Sequence, residues 1–576
     1  MEKAAIFHIG DSEYCYLSDE GKVILTLKAK KGDMQKVVMV YDDRYVRNPK
    51  AMLISKEAYL AGSDEVSDYF RVSFECRYTR LAYYFILTDK EGNTEYYGMN
   101  GVQDMNCYDN RMRFQLPYLH RTDSPNIPLW YKNSVMYQVF PDSFAQSRNK
   151  VEEVPSEKST NGITVKSKIG GTINGIRENI PYFKELGVDL LYINPIFTAV
   201  SYHKYDTIDY CKIDPGMGTN DDFARLVGEC HQNGIRIMLD LVFSSCSMEH
   251  PAFLDVREKG EDSEYADWYI VHKYPVVCKE NPDYECFAFF GEVPKYNIAN
   301  QKVIEYLIEA GRYWLTEYHI DGYRLDVANE LSHEFWRKFR MEMQRIKPDI
   351  VLIGEAWHHA NSFVGNGQFH GVMNFPLLFS VWEFFGYDMT NVQQFAESLT
   401  RLTMLYKWDN TCAMMNFLDN HDTMRFINVA QFDRCRQKLA FAFLISFVGV
   451  PLVYYGDEKS LEGSSTEDSR RKMIWQDEPT NEDMFKYYKK LIAIRKQYPV
   501  LIEGGFQIFA QDVLQNVLGF TRENETDTLY CLFNRSPYRS EITLPKEGTM
   551  QELITGQTLT STVHLEPYQA MICRAL

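Results

Sequence analysis

Eight short β-type runs alternate with stretches of helical length between residues 134 and 455. The runs cover residues 134–140, 190–197, 235–243, 320–326, 350–356, 371–375, 412–418 and 451–455. Segments between them, such as 303–318 and 333–346, have the apolar periodicity of amphipathic helices. Because strands that alternate with helices form parallel sheets, this pattern predicts the α/β class and a (β/α)8 barrel.

The regions on either side of this pattern read as β-structure. Residues 1–122 contain apolar runs separated by turn residues and predict an N-terminal β-sandwich module, followed by a Pro-containing linker at 123–133. The barrel domain is predicted at 134–503, with an inserted subdomain at about 246–300, where the connection is too long for one helix. β-type runs return over 504–576 and predict a C-terminal β-domain.

Composition excludes several partners. The formal net charge of −17 argues against nucleic acid and against an anionic membrane surface. The uncharged run at 439–456 is barely long enough to span a bilayer, and Gly449 and Pro451 interrupt it. It therefore predicts a buried helix, a turn and a buried strand.

Cysteine usage and the N-terminus bear on the compartment. The 12 cysteines include no C-x-x-C pair, and the first residues contain no apolar run of signal-peptide length. We therefore expect a reduced, cytoplasmic protein without a zinc site.

Polar residues close several of the predicted barrel strands. Asp240 ends the third strand, Arg324 and Asp326 end the fourth, and Glu355 ends the fifth. His421 and Asp422 follow the seventh strand. The carboxyl ends of barrel strands share one face, so these side chains are expected to meet there, which is where barrel enzymes carry their chemistry.

Four of these segments resemble the signature segments of the α-amylase superfamily, glycoside hydrolase family 13. They are LDLVF at 239–243, GYRLDVANE at 322–330, GEAWH at 354–358 and FLDNHD at 417–422. The order and the strands are those of the family. Within it, VANE at 327–330, VPKYN at 293–297 and the N-terminal module are similar to the branch of neopullulanases, cyclomaltodextrinases and maltogenic amylases.

The resemblance and the chemistry together suggest roles for the acids. Retention of configuration requires two carboxyl groups about 5–5.5 Å apart. Asp326 is predicted to be the nucleophile, kept ionised by Arg324 two residues earlier, and Glu355 the general acid/base, which must carry a proton at the first step. The resemblance gives Asp422 the task of holding ring hydroxyls and stabilising the transition state.

The resemblance also implies a set of substrate contacts. Asp240 and Arg324 belong to this predicted group. Its other members are His203, Tyr205, Glu330, Trp357, His421 and Arg425. Asp206, in the same loop as His203, reads instead as a structural anchor.

Three segments depart from the family pattern. Ser244 and Ser245 stand where the family has Asn-His, and His250 is a candidate to replace the lost histidine. The loop at 456–471 lacks the usual Asp-Pro pattern. Thr172 replaces the acid of a Gly-Gly-Asp segment and the loop at 144–153 is altered, so calcium is disfavoured, and no metal or other cofactor is predicted.

The resemblance implies a retaining hydrolase of α-1,4-glucosidic bonds in cyclodextrins, maltooligosaccharides or pullulan. Two alternatives stay open: a transglycosylase or isomerase of the same fold, and a catalytically inactive sugar-binding regulatory protein. The joint presence of Asp326, Glu355 and Asp422 argues against the inactive protein. The branch further implies a homodimer in which the N-terminal module helps to wall the partner's site, with a monomer that uses the module as a starch anchor as the alternative.

Overall fold

The computed structural model describes residues 1–45, 54–104, 109–147, 169–476 and 478–576. The chain divides into two compact units. The first comprises Met1–Ile127, Asp388–Ala413 and Val500–Leu576, and the second comprises Pro128–Tyr387 and Met414–Pro499.

The second unit contains the predicted barrel. Its eight parallel strands, numbered here as barrel strands 1 to 8, are Met136–Val139, Leu190–Ile193, Arg236–Val242, Gly322–Asp326, Val351–Gly354, Gly371–Val372, Met415–Asn416 and Val450–Tyr454. Hydrogen bonding gives the order 6-5-4-3-2-1-8-7. A parallel bridge between Met373 and Met415 joins the two ends of this order. Seven strands lie within the predicted runs, strand 8 begins one residue before its run, at Val450, and the barrel is confirmed.

Helices follow the strands and bury their apolar faces. The α-helices of this unit are Leu129–Lys132, Pro141–Phe144, Ile173–Glu178, Ile180–Leu186, Asn220–Gln232, Pro251–Lys259, Gln301–Tyr318, His333–Ile346, Phe375–Val381, Phe426–Val429, Arg434–Ser446 and Pro479–Gln497. Polar caps start several of them. Thr219 and Asp222 form a capping box, and the Ser332 hydroxyl accepts the N–H of Phe335.

The uncharged run is internal to this unit. Helix Arg434–Ser446 is buried along most of its length, Gly449 turns the chain at a φ of 114°, and Val450–Tyr454 becomes barrel strand 8. Within the described ranges, no helix combines the length and apolarity that crossing a membrane requires.

The connection after barrel strand 3 is irregular. It contains helix Pro251–Lys259 and short turns up to the start of Gln301–Tyr318. Isolated bridges between Ser245 and Lys295 and between Tyr269 and Tyr296 hold it together. A two-stranded ribbon, Phe197–Ala199 with Thr207–Ile213, follows barrel strand 2.

The first unit has an N-terminal β-sandwich. One sheet contains Cys15–Leu17, Lys22–Lys30, Ser67–Glu75 and Tyr59–Ser63, and the other contains Ile54–Glu57, Met34–Asp42, Leu81–Asp89, Thr94–Gly98, Gly101–Gln103 and Phe114–Leu116. Alternate residues of both sheets share one core, for example Leu25 and Leu27 with Met39 and Phe85.

The rest of this unit contains C-terminal sheets and three α-helices, Val392–Met404, Trp408–Thr411 and Val500–Glu503. The six-stranded sheet contains Gly505–Asp512, Val517–Glu523, Thr528–Asn534, Ala570–Ala575, Thr549–Glu552 and Thr558–Thr560; Ser540–Thr543 pairs with Thr562–Leu565. Asp388–Ala413 lies within the predicted barrel domain by sequence but belongs to this unit. The reason is that helix Val392–Met404 packs against Tyr59–Ser63 and Gly505–Asp512.

Candidate active site

The guanidinium of Arg324, on barrel strand 4, joins three carboxylates. Its Nη1 atom lies 2.8 Å from Asp240 Oδ1 and 2.6 Å from Asp326 Oδ1, and Nη2 lies 2.9 Å from Glu355 Oε2. The strand register pairs Asp240 with Arg324 and Val242 with Asp326. Parallel strands that end at one rim therefore bring these acids together, as the sequence predicted.

Asp326 and Glu355 are placed for joint action. They contact different nitrogen atoms of one guanidinium, so both carboxylates face the same point. An arginine fork can hold two carboxylate oxygens side by side. Retaining glycosidases need their two carboxyl groups closer together than inverting ones do, and contact with one guanidinium keeps these two groups near each other.

The charges of the site do not cancel. Four carboxyl groups face two guanidinium groups, those of Arg324 and Arg470. Burial raises the pKa of Asp326 well above its usual range; Arg324 opposes this rise, and the charges of Glu355 and Asp240 add to it. Arg324 is the group that favours the ionised form of Asp326, which a nucleophile requires, against burial and the neighbouring acids.

The backbone after Asp326 holds the side chain of Glu355. Val327 has a φ of 44° and a ψ of 43°, in the left-handed region that β-branched residues rarely adopt. Its N–H donates to Glu355 Oε2 at 2.9 Å. The N–H of Ala328 donates to the Glu355 carbonyl, and the Glu355 N–H donates to the carbonyl of Leu325. Strained backbone thus fixes the second acid beside the first.

Asp240 holds other residues of the site in position. Its Oδ2 accepts the hydroxyl groups of Tyr192 at 2.6 Å and Tyr205 at 2.7 Å. Burial raises the pKa of Asp240, and Arg324 opposes this rise. Asp240 has no exposed surface. The predicted substrate contact is therefore corrected, and the role of Asp240 is to orient Arg324 and Tyr205.

His421 is a neutral link in the same network. Burial lowers the pKa of His421 well below its usual range. Gln138 Nε2 lies 2.8 Å from His421 Nδ1, so the neutral ring carries its proton on Nε2. That nitrogen lies 2.5 Å from the Tyr205 hydroxyl and 3.1 Å from Asp422 Oδ2. His421 is fully buried and orients Asp422; its predicted contact with a sugar stays a prediction.

Arg470 holds Asp422 and was missed in the sequence. Its guanidinium lies 3.2 Å from Asp422 Oδ1, and it also donates to the His421 carbonyl and the Tyr202 hydroxyl. Burial raises the pKa of Asp422 to about 7; the charge of Glu355 adds to this, and Arg470 opposes it. The paired arginines of SRR at 469–471, in the loop that departs from the family pattern, were the available signal.

Trp357 forms part of the open wall. Its indole is 45% exposed and stacks on Phe375, with ring centroids 4.3 Å apart and planes at 15°. Its Nε1–H donates to Glu355 Oε1 at 3.0 Å. This position fits both the predicted sugar contact and a direct effect on the acid.

The loop between Phe197–Ala199 and Thr207–Ile213 contains two more predicted residues. Tyr205 lies with its ring parallel to that of His421, and its hydroxyl is occupied by Asp240. His203 is partly exposed, and burial lowers its pKa to about 3, so its ring is neutral. Asp206 accepts the Ser201 N–H at 3.1 Å, which fits the predicted loop anchor.

Two of the predicted substrate contacts form ion pairs with other side chains of the protein. Glu330 Oε2 lies 2.5 Å from Lys295 Nζ, and both side chains are partly exposed. Arg425 has no exposed surface; it pairs with Asp457 at 3.0 Å and lies 3.8 Å from the centre of the Tyr454 ring. The predicted substrate contact by Arg425 is therefore corrected, because its guanidinium anchors the loops after barrel strands 7 and 8.

The departures from the family pattern have structural explanations. Ser244 and Ser245 are both buried. His250 does not replace the missing histidine, because its ring caps helix Pro251–Lys259 and lies 2.9 Å from the Tyr306 hydroxyl. The Thr172 hydroxyl accepts the N–H of Gly175 and caps helix Ile173–Glu178. Residues 148–153 of the altered loop lie outside the described residues.

Comparison with known proteins agrees with this geometry. The model of the alpha amylase catalytic domain matches residues 138–476, that of the alpha amylase N-terminal ig-like domain matches 1–120, and that of the maltogenic amylase C-terminal domain matches 506–572. The chain is 37% identical to neopullulanase 2 of Thermoactinomyces vulgaris over 99% of this chain and 98% of that one.

Two further relatives extend the match. The chain is 36% identical to a maltogenic alpha-amylase of Bacillus acidopullulyticus, over 96% of this chain and 95% of that protein. A solved cyclomaltodextrinase superposes with a TM-score of 0.93 at 31% identity, with all of both chains covered. The chain therefore belongs to the α-amylase family, within the group that contains the maltogenic amylases, neopullulanases and cyclomaltodextrinases.

Proposed function

We propose that this protein is a retaining α-glucan hydrolase that cleaves α-1,4-glucosidic bonds in cyclodextrins, maltooligosaccharides or pullulan. The observation that carries the proposal is the Arg324 guanidinium, which holds Asp326 and Glu355 side by side. The printed names of the relatives support the substrate class. Net negative charge fits a neutral substrate.

The mechanism follows from the positions of these groups. Glu355 gives its proton to the glycosidic oxygen while Asp326 attacks the anomeric carbon, so the bond to the leaving sugar breaks as the bond to Asp326 forms. Glu355 then removes a proton from water, which attacks the same carbon and releases Asp326. Two inversions leave the configuration unchanged. Asp422, held by Arg470, accepts hydrogen bonds from ring hydroxyls.

The same proposal covers assembly, metal and compartment. We infer a homodimer in which the N-terminal module helps to wall the partner's site. The inference rests on resemblance to the branch: this chain has the N-terminal ig-like domain and is similar to neopullulanase 2 over 99% of its length. We also infer catalysis without calcium, since Thr172 caps a helix where the family has an acid. Relatives named intracellular maltogenic amylases support a cytoplasmic enzyme. None of the eleven described cysteines forms a disulfide.

Transfer to sugar acceptors is the second candidate activity. Glu330 lies three residues after Val327, at the end of the segment that carries the nucleophile. Its carboxylate pairs with Lys295. Partly exposed polar groups at this position can hold an acceptor sugar in place of water. The ratio of transfer to hydrolysis products measures this activity.

The test is product analysis with stereochemistry. The purified protein is incubated with β-cyclodextrin, pullulan and maltotriose, and proton NMR follows the first product. We expect maltose or glucose from β-cyclodextrin and maltotriose, and a trisaccharide that keeps one α-1,6 bond from pullulan, each released in the α configuration. Release of the β anomer would contradict retention, and no turnover of any of the three substrates would favour the inactive sugar-binding protein.

A further inference from the structure

The two carboxylate oxygens of Glu355 have different surroundings. Oε2 accepts the N–H of Val327 at 2.9 Å and lies 2.9 Å from Arg324 Nη2. Oε1 accepts the indole N–H of Trp357 at 3.0 Å, which is its one recorded donor among the described residues. A carboxyl proton needs an oxygen with a free lone pair, and Oε1 is the less occupied of the two.

Stacking on Phe375 orients the indole of Trp357 so that its N–H points at Glu355. The Trp357 ring lies against Phe375 with planes at 15°, although 45% of the residue is exposed. The exposed part of the indole remains open to a sugar, while its N–H is committed to the Glu355 carboxylate. The direction of the Trp357 N–H, toward Glu355, therefore indicates a role in proton donation.

We propose that Trp357 is a positioning residue for proton donation by Glu355, an inference that rests on the proposed function. The contacts of Oε2 with Val327 and Arg324 leave the transferred proton to Oε1, and the Trp357 N–H fixes the direction in which Oε1 points. During cleavage the Oε1–H bond breaks, the proton binds the leaving oxygen, and negative charge appears on Glu355. The Trp357 hydrogen bond strengthens as that charge develops, so it stabilises the transition state more than the ground state.

Other charged or titratable groups also face Glu355, and their charges must stay the same in every variant that is compared. They are Arg324 and Asp326 from barrel strand 4, Tyr192 from barrel strand 2, and Asp422 from the segment after barrel strand 7. Replacing the neutral indole by a benzene ring alters none of these charges.

The experiment compares Trp357→Phe with Trp382→Phe. The first variant keeps a ring on Phe375 and removes the N–H. The second removes an indole N–H that donates to the Leu418 carbonyl at 2.7 Å, in the same unit. Both are assayed for kcat and KM across pH, with maltotriose and with α-maltosyl fluoride, whose fluoride leaves without a full proton transfer.

For Trp357→Phe we expect the basic limb of the maltotriose profile to move up by about half to one pH unit, because the carboxylate loses a donor. We expect kcat to fall about tenfold on maltotriose and less than about twofold on α-maltosyl fluoride. Trp382→Phe should show neither change. A second variant, Trp357→His, restores an N–H donor and should recover part of the maltotriose rate.

Equal losses on both substrates through KM, with an unchanged pH profile, would overturn the proposal and leave Trp357 as a sugar contact. If Trp357→Phe does not fold, Trp357→His decides the question alone. A Trp357→His pH profile that matches the wild type on both limbs, with kcat low on both substrates, leads to the same conclusion. Glu355→Gln separates this inference from the proposed function. If that variant kept its maltotriose rate, Glu355 would not be the acid, whatever Trp357 does.

Discussion

At the scale of single residues, the balance between Arg470 and Asp422 sets the acid side of the activity. Burial raises the pKa of Asp422 to about 7 although Arg470 lies 3.2 Å from its carboxylate. In the proposed mechanism Asp422 works as an ionised acceptor. Activity should therefore fall as the pH drops through the pKa of this group.

Replacing Arg470 tests this directly. Arg470→Ala removes the charge that opposes the raised pKa of Asp422, so the acid limb of kcat/KM should move to higher pH, with a loss of about tenfold or more at pH 6. Arg471→Ala is the matched control, because that exposed neighbour pairs with Asp468 instead. An acid limb that stays in place in Arg470→Ala would show that another group sets it.

The sequence predicts the catalytic acids better than it predicts the residues that hold them in position. Asp326 and Glu355 end strands whose apolar runs mark them, so their meeting follows from barrel geometry. The contacts of Arg470, the left-handed backbone of Val327 and the burial of Arg425 depend on how loops fold over the rim. Linear spacing does not encode such contacts, which is why these three were missed or misassigned.

At the scale of elements, hydrogen bonds organise the segment before helix Ile173–Glu178. Asp142 accepts the backbone N–H groups of Ile169 and Gly170, and the Thr172 hydroxyl caps the helix. These oxygen atoms already have hydrogen-bond donors. Calcium needs six to eight oxygen ligands, so competition with these bonds disfavours it.

Chelation should therefore leave the enzyme intact. We expect extended dialysis against EDTA to change neither the melting temperature nor the rate on maltotriose. Both quantities are recorded before and after dialysis, with magnesium and calcium added back separately. A large drop in either quantity that calcium alone restores would contradict this expectation.

Apolar periodicity predicts that a helix or strand forms but not which surface it packs against. The eight barrel runs were predictable because buried strands are short and apolar. Helix Val392–Met404 has an equally clear amphipathic pattern, but the sequence does not say which surface its apolar face covers. Its packing on Tyr59–Ser63 and Gly505–Asp512 places it in the first unit, a result of tertiary contact alone.

At the scale of the whole molecule, the proposed dimer would limit the size of the substrates that reach the site. A partner's N-terminal module beside the site would admit short or cyclic glucans and exclude bulky starch, so kcat/KM should favour small substrates. Light scattering at micromolar concentration should give twice the chain mass of 67.4 kDa. Dilution to a monomer should reduce the preference for β-cyclodextrin over soluble starch. A monomer at every concentration would remove the shared-site proposal and favour a starch anchor.

The central claim is that Asp326 attacks the sugar and Glu355 moves the proton. Glu355→Gln treated with α-maltosyl fluoride tests it most directly, because fluoride leaves without the acid and water attack then lacks its base. Mass spectrometry of the digested protein should find one maltosyl unit on the peptide that contains Asp326, and none when Asp326→Asn is added. A maltosyl unit on another residue, or full wild-type turnover of maltotriose by Glu355→Gln, would contradict the account.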